Sequence, residues 1–222
     1  MSTTLRVLAA AALCAAPLIG SATLASAGGG PGDTTLTNGT GSWLEIGPVP
    51  GLLDGNVHRG GVAFLDDADP QRQDFRDGRI EDWTCPDGVL PPALYAIEDP
   101  ESFPGTSCTL ERVLHLDLDD TTVTVGDRLS GARITGTAHV NDEAGHVVTS
   151  VPVDLAFEAD GAARRQTDVF RFQDENGNWL TDRMVFTTRA AQLAGTVGTI
   201  GVGDGAGDAT QGILSTQEST VR

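Results

Sequence analysis

Residues 132–140, ARITGTAHV, and residues 147–157, VVTSVPVDLAF, decide the fold. In the first, Ala132, Ile134, Gly136, Ala138 and Val140 alternate with Arg133, Thr135, Thr137 and His139. In the second, Val147, Thr149, Val151, Val153, Leu155 and Phe157 share one face. Period two with β-branched residues marks half-buried strands and is incompatible with a helical stripe. Between them Asn141 to Gly145 carries turn chemistry, because Asn, Asp and Gly tolerate positive φ and bond their own backbone.

Outward from this pair the pattern continues. Leu114, Leu116 and Leu118 alternate with His115, Asp117 and Asp119, and Thr121, Val123 and Val125 with Thr122 and Thr124, before a turn signal at Gly126-Asp127. Leu110 to Gly161 therefore reads as an antiparallel meander closed by Asp160-Gly161. Thr167 to Phe172 and Trp179 to Thr188 form a hairpin through QDENGN, in which Asn176-Gly177 is a tight-turn dipeptide. Further short strands are expected at Trp43 to Ile46, Gly61 to Leu65, Ala191 to Val197 and Thr199 to Val202, whereas the acidic stretch Asp66 to Trp83 reads as a solvated loop. A total of roughly eight to ten strands predicts an all-β chain, an antiparallel sandwich or barrel.

The ends read differently. Residues 1–27 have the form of a signal peptide: Arg6, the apolar run Val7 to Ile19, and Ala25-Ser26-Ala27 as a small-x-small cleavage site. Residues 28–41, rich in Gly and Thr, are expected to be a flexible leader, residues 42–202 a single all-β domain, and residues 203–222 a low-complexity tail to which Ile213 and Leu214 add at most an edge strand. No later run approaches the roughly 20 apolar residues a membrane span needs. Without Cys14 the cysteines are Cys85 and Cys108, an even pair that in an oxidising compartment is expected to form one disulfide across a proline-rich loop. Trp83 is expected to pack on it. These features place the chain outside the cell or at its envelope.

The formal charge of −17 arises from 31 acidic residues against 14 basic ones, all of them arginine. Such a surface repels nucleic acid and suits counter-ions or divalent cations. Without lysine, Schiff-base and P-loop chemistry are excluded.

Candidate sites are few. His139 and His146 flank one turn with Asp142 and Glu143 between them, a possible imidazole-carboxylate metal set. His115, Asp117 and Asp119 share a strand face and form an alternative surface site. Solvated outer residues account for either group equally well. Asp174, Asn176 and Asn178 start like a calcium loop, but Trp179 stands where Gly is required and Val185 where Glu is required. Neither G-x-S-x-G nor H-E-x-x-H occurs, so catalytic residues stay unassigned, although a triad can assemble from distant positions.

The stretches WTCPDG at 83–88, ARITG at 132–136 and VDLAFEADG at 153–161, with Cys108, make the chain similar to uncharacterised secreted β-rich proteins of high-GC Gram-positive bacteria. That resemblance implies a compact exported β-fold and transfers no catalytic residue. The expected function is an exported, non-enzymatic β-domain that needs no cofactor and engages an extracellular or envelope partner or a divalent cation. The alternative is a secreted hydrolase with a dispersed acid or Ser-His site.

Overall fold

A computed structural model describes residues 32–68, 74–92, 107–203 and 210–222. The signal-peptide reading, most of the proline-rich loop and residues 69–73 of the acidic stretch lie outside them. Ten strands follow in order: β1 (Asp33–Ile46), β2 (Val57–Asp67), β3 (Phe75–Thr84), β4 (Thr109–Asp117), β5 (Thr121–Val125), β6 (Gly131–Asn141), β7 (Val147–Gln173), β8 (Trp179–Val197), β9 (Ile200–Val202) and β10 (Gln211–Val221). All pairings are antiparallel. The sheet runs β10-β1-β2-β3-β4-β6-β7-β8-β9, and β10 also pairs with β8. That last pairing joins the two ends, so the sheet closes into a barrel.

The alternation read from the sequence supplies the barrel interior. Ile134, Ala138 and Val140 from β6, Val153, Leu155 and Phe157 from β7, and Leu114, Leu116 and Leu118 beside them are buried in one cluster with Trp43, Phe64, Leu193 and Leu214. Phe64 and Phe157 meet edge-to-face, ring centres 5.7 Å apart, an arrangement that adds about 1 kcal/mol to area burial. Side chains fill this barrel's interior, so large residues on one strand need small ones opposite. Gly60 meets that need: a Cβ there would lie 1.9 Å from Cζ2 of Trp43.

Several sequence expectations are corrected. The supposed leader is β1 from Asp33 onward, because Gly39 and Gly41 face inward against Phe64, Phe157 and Leu193, whose rings and methyls fill the space a side chain would take. The low-complexity tail contains β10, a strand flanked on both sides by β1 and β8, with Leu214 fully buried. The acidic loop is a strand from Phe75 to Thr84. Gly161 does not end its strand: the register shifts between Asp160 and Arg164, Gly161 adopts φ +72°, and β7 runs on to Gln173. In each case composition suggested looseness where the partner strand imposed order.

Cys85 and Cys108 are bonded, and Trp83 packs with them, Leu44 and Val57 in a second, smaller core on the outer face. Glu81 is completely buried there, accepting a 2.9 Å hydrogen bond from Trp83 Nε1 and contacting Arg79 at 2.8 Å, while Arg59 donates to the carbonyl of Pro91. Burial pushes the Glu81 carboxyl above the usual range. On the inner face of the same strands, His58 is fully buried opposite Asp82, with Nε2 3.6 Å from Oδ1, and Arg112 bridges Asp82 to the carbonyl of Leu52. The segment between β1 and β2 caps this end, inserting Val49 and Leu53 into the main core.

Burial lowers the His58 pKa from its ordinary 6.5, outweighing the attraction of Asp82. The unfolded chain then binds the proton more readily than the folded one. This contribution to stability is complete above the ordinary value of 6.5 and is lost as pH falls below it. Glu81, shifted upward, acts in the opposite sense from its ordinary 4.5 upward. The difference between wild type and His58→Gln therefore isolates the histidine: denaturant midpoints measured from pH 7.5 to 5 fall more steeply for wild type.

Candidate functional site

β4 and β5 are one strand with an interruption. Asp117 pairs with His139 and Thr121 with Gly136, so Leu118, Asp119 and Asp120 stand opposite only Ala138 and Thr137. One extra residue makes this a β-bulge. Local bonds fix it: Thr121 Oγ1 and N donate to the Leu118 carbonyl at 2.6 and 3.0 Å, Asp119 N to Asp117 Oδ1 at 3.0 Å, and Thr137 N to the Asp120 carbonyl at 3.3 Å. Gly136, at φ +146°, allows the close approach, since a Cβ there would lie 2.5 Å from the Asp120 oxygen.

The bulge keeps Leu118 in the core and turns the two following carboxylates outward. Asp120 Oδ2 lies 2.9 Å from His139 Nε2, and His139 Nδ1 lies 2.8 Å from Ser150 Oγ on the neighbouring strand. An Asp-His-Ser chain results. Beside it an open cleft of about 420 Å³ is lined by Asp74, Phe75, Arg76, Asp77, Asp117 and Asp119. Arg76 donates to the Thr121 carbonyl and pairs with Asp74 at 3.3 Å. Burial raises the Asp77 pKa, Asp117 adding to the effect and the Gly78 N–H and His115 opposing it.

The structure thus brings together residues the sequence left apart. His115 and Asp117 on β4, Asp119 in the bulge and His139 on β6 occupy one region of the outer face, with Asp119 displaced from the strand itself. His146 is not linked to His139: it lies 3.5 Å from Asp142 across the turn. The Asp142 carboxyl is held low by hydrogen bonds from the backbone N–H groups of His146 and Ala144, and Glu143 is exposed. Asp174 serves its own turn, accepting from the side chain and backbone of Asn178 and the backbone of Asn176, which lowers its pKa. Among the described residues, no group of three or more His, Cys, Asp or Glu side chains is arranged to hold a metal ion.

A second feature lies where β7 outruns β6 while β8 stays flanked by β10. Residues 164–173 pair with 179–188, whereas β6 accompanies β7 only from Val147 to Glu158. The far edge of β7 beyond β6 therefore has no strand beside it among the described residues. On this arm Val169 (60 %), Phe170 (50 %), Phe172 (42 %) and Trp179 (63 %) are exposed, and Arg171 lies over the Trp179 ring at 5.8 Å. By strand alternation Val169 and Arg171 occupy one face and Phe170 and Phe172 the other; the cross-strand pairing of Gln173 with Trp179 puts that ring on the first face. Sequence reading recognised the hairpin and missed its meaning. The signal was the adjacent apolar pair Val169-Phe170, which breaks period two.

No protein-family model, curated protein or solved structure matches the chain.

If Gly136 is what admits the bulge, Gly136→Ala strains both its own positive φ and the Asp120 carbonyl. Expected are a loss of at least about 1 kcal/mol in denaturant unfolding and a shift of the His139 ring resonances in NMR as Asp120 moves away.

Proposed function

We propose that the chain is an exported, non-enzymatic binding module that engages a protein partner by strand addition along β7. The observation that carries this reading is the arm edge at 164–173, unpaired along its outer side among the described residues and exposing Val169 on one face and Phe170 and Phe172 on the other. A ligand lying on one face would leave the other wet, whereas an added strand extends both faces at once because its side chains alternate across the sheet. The polar tip, Asp174 to Asn178, argues against insertion into a bilayer. Export is supported by the Cys85–Cys108 disulfide; among the described residues no helix is long and apolar enough to cross a membrane. Of the two expected ligands, the partner has this geometric support; a cation has no ligand set among the described residues.

The probe is a fluorescent peptide with the sequence of residues 164–173, an antiparallel strand of matching pattern. Saturable binding in anisotropy is expected, weakened at least roughly tenfold by Val169→Lys/Phe170→Lys, which sets a charge on each face of the edge. No binding, or binding indifferent to the double substitution, overturns the reading.

A hydrolase is the second reading, favoured by the Ser150–His139–Asp120 chain. The Asp120 side chain is 71 % exposed, and a carboxylate standing in water stabilises an imidazolium far less than a buried one does. The chain is accordingly an orienting network first. Ester hydrolysis with p-nitrophenyl acetate is expected to be unchanged by Ser150→Ala; a loss of about a hundredfold would install the hydrolase reading instead.

A further inference from the structure

We infer that the strand added to the β7 edge is the same strand of a second copy of this chain. The inference rests on the strand-addition reading above and goes further by naming the occupant. Two antiparallel strands related by a two-fold axis share one sheet, so residues opposite each other must lie on the same face, and the axis passes through one residue or its pair. With the axis at Val169, Val169 meets its own copy, Asp168 meets Phe170, Thr167 meets Arg171, Gln166 meets Phe172, Arg165 meets Gln173 and Arg164 meets Asp174. No like charges oppose each other in this register, and opposite charges meet at both ends. The stretch is self-complementary.

The protein as a whole is not, since at −17 two copies repel. The antiparallel arrangement sets Arg164 of each copy against Asp174 of the other, so the contact itself is balanced in charge, and repulsion between the remaining charges is screened beyond about 8 Å at physiological salt. Charge along 164–188 is balanced: Arg164, Arg165, Arg171 and Arg183 stand among Asp168, Asp174, Glu175 and Asp182. Strand addition in this register covers Val169, Phe170 and Phe172 of both copies, the apolar side chains that the monomer leaves in water.

Sedimentation velocity of the purified protein from low to high micromolar concentration tests this, with circular dichroism confirming that each variant is folded. The expected result is a concentration-dependent dimer that Val169→Lys/Phe170→Lys converts to monomer. Arg164→Asp, which sets like charges opposite each other at both ends, should weaken the dimer by roughly fivefold. A monomer throughout, with the 164–173 peptide still binding, overturns the second copy and leaves strand addition by a different protein. A monomer that also ignores the peptide removes both readings. A dimer that survives the double substitution places the interface elsewhere and overturns the inference.

Discussion

The pairing of β10 with both β1 and β8 is the constraint on which the rest of the structure depends. An open antiparallel sheet of this size would present two long edges and one apolar face to water; closure satisfies both edges and turns that face into an interior. The strand responsible comes last in the chain and has little hydrophobic content of its own, with Leu214 its one fully buried residue. Its contribution is backbone hydrogen bonding on two sides. Because β10 meets β8 at residues 182–191, it runs beside most of the arm as well as closing the barrel wall. The arm is thus an extension of a fixed sheet, and its edge is held straight by pairing on its inner side.

At the other end the barrel buries two pairs of ionisable side chains. The same two strands carry His58 opposite Asp82 on the inner face and Arg59 opposite Glu81 on the outer face. The inner pair lies beneath the cap formed by Val49 and Leu53, and the outer group adjoins the disulfide core. Such groups are costly to bury unless partnered, and the partners reach into the adjoining segments: Arg112 to the Leu52 carbonyl, Arg59 to the Pro91 carbonyl. Cap, barrel rim and disulfide segment are therefore tied to one another by side-chain hydrogen bonds as well as by packing.

Regularity fails away from that end. A single extra residue between β4 and β5 directs Asp120 to His139, and a register shift after Asp160 lets β7 run on without ending. Both irregularities use a glycine at positive φ, Gly136 and Gly161. The first produces an outward polar network; the second carries β7 past the end of β6, where Val169, Phe170 and Phe172 are exposed on an edge with no strand beside it among the described residues.

The alternation at 132–140 and 147–157 was enough to establish an all-β antiparallel chain, because period two is a local property of an extended backbone with one face buried. The cysteine pair and the Asn176-Gly177 hairpin were legible for equally local reasons. Closure was not, since nothing within residues 33–41 or 211–221 states that their partners lie some 180 residues apart; small and polar composition looks flexible until a neighbouring strand supplies the hydrogen bonds. The same holds for the meeting of Asp120, His139 and Ser150 and for the bare edge of the arm. Both depend on register between strands, which is a non-local quantity. The sequence by itself determined which residues could face a core, and only the tertiary structure decided which strands would meet and which edge would be left without one.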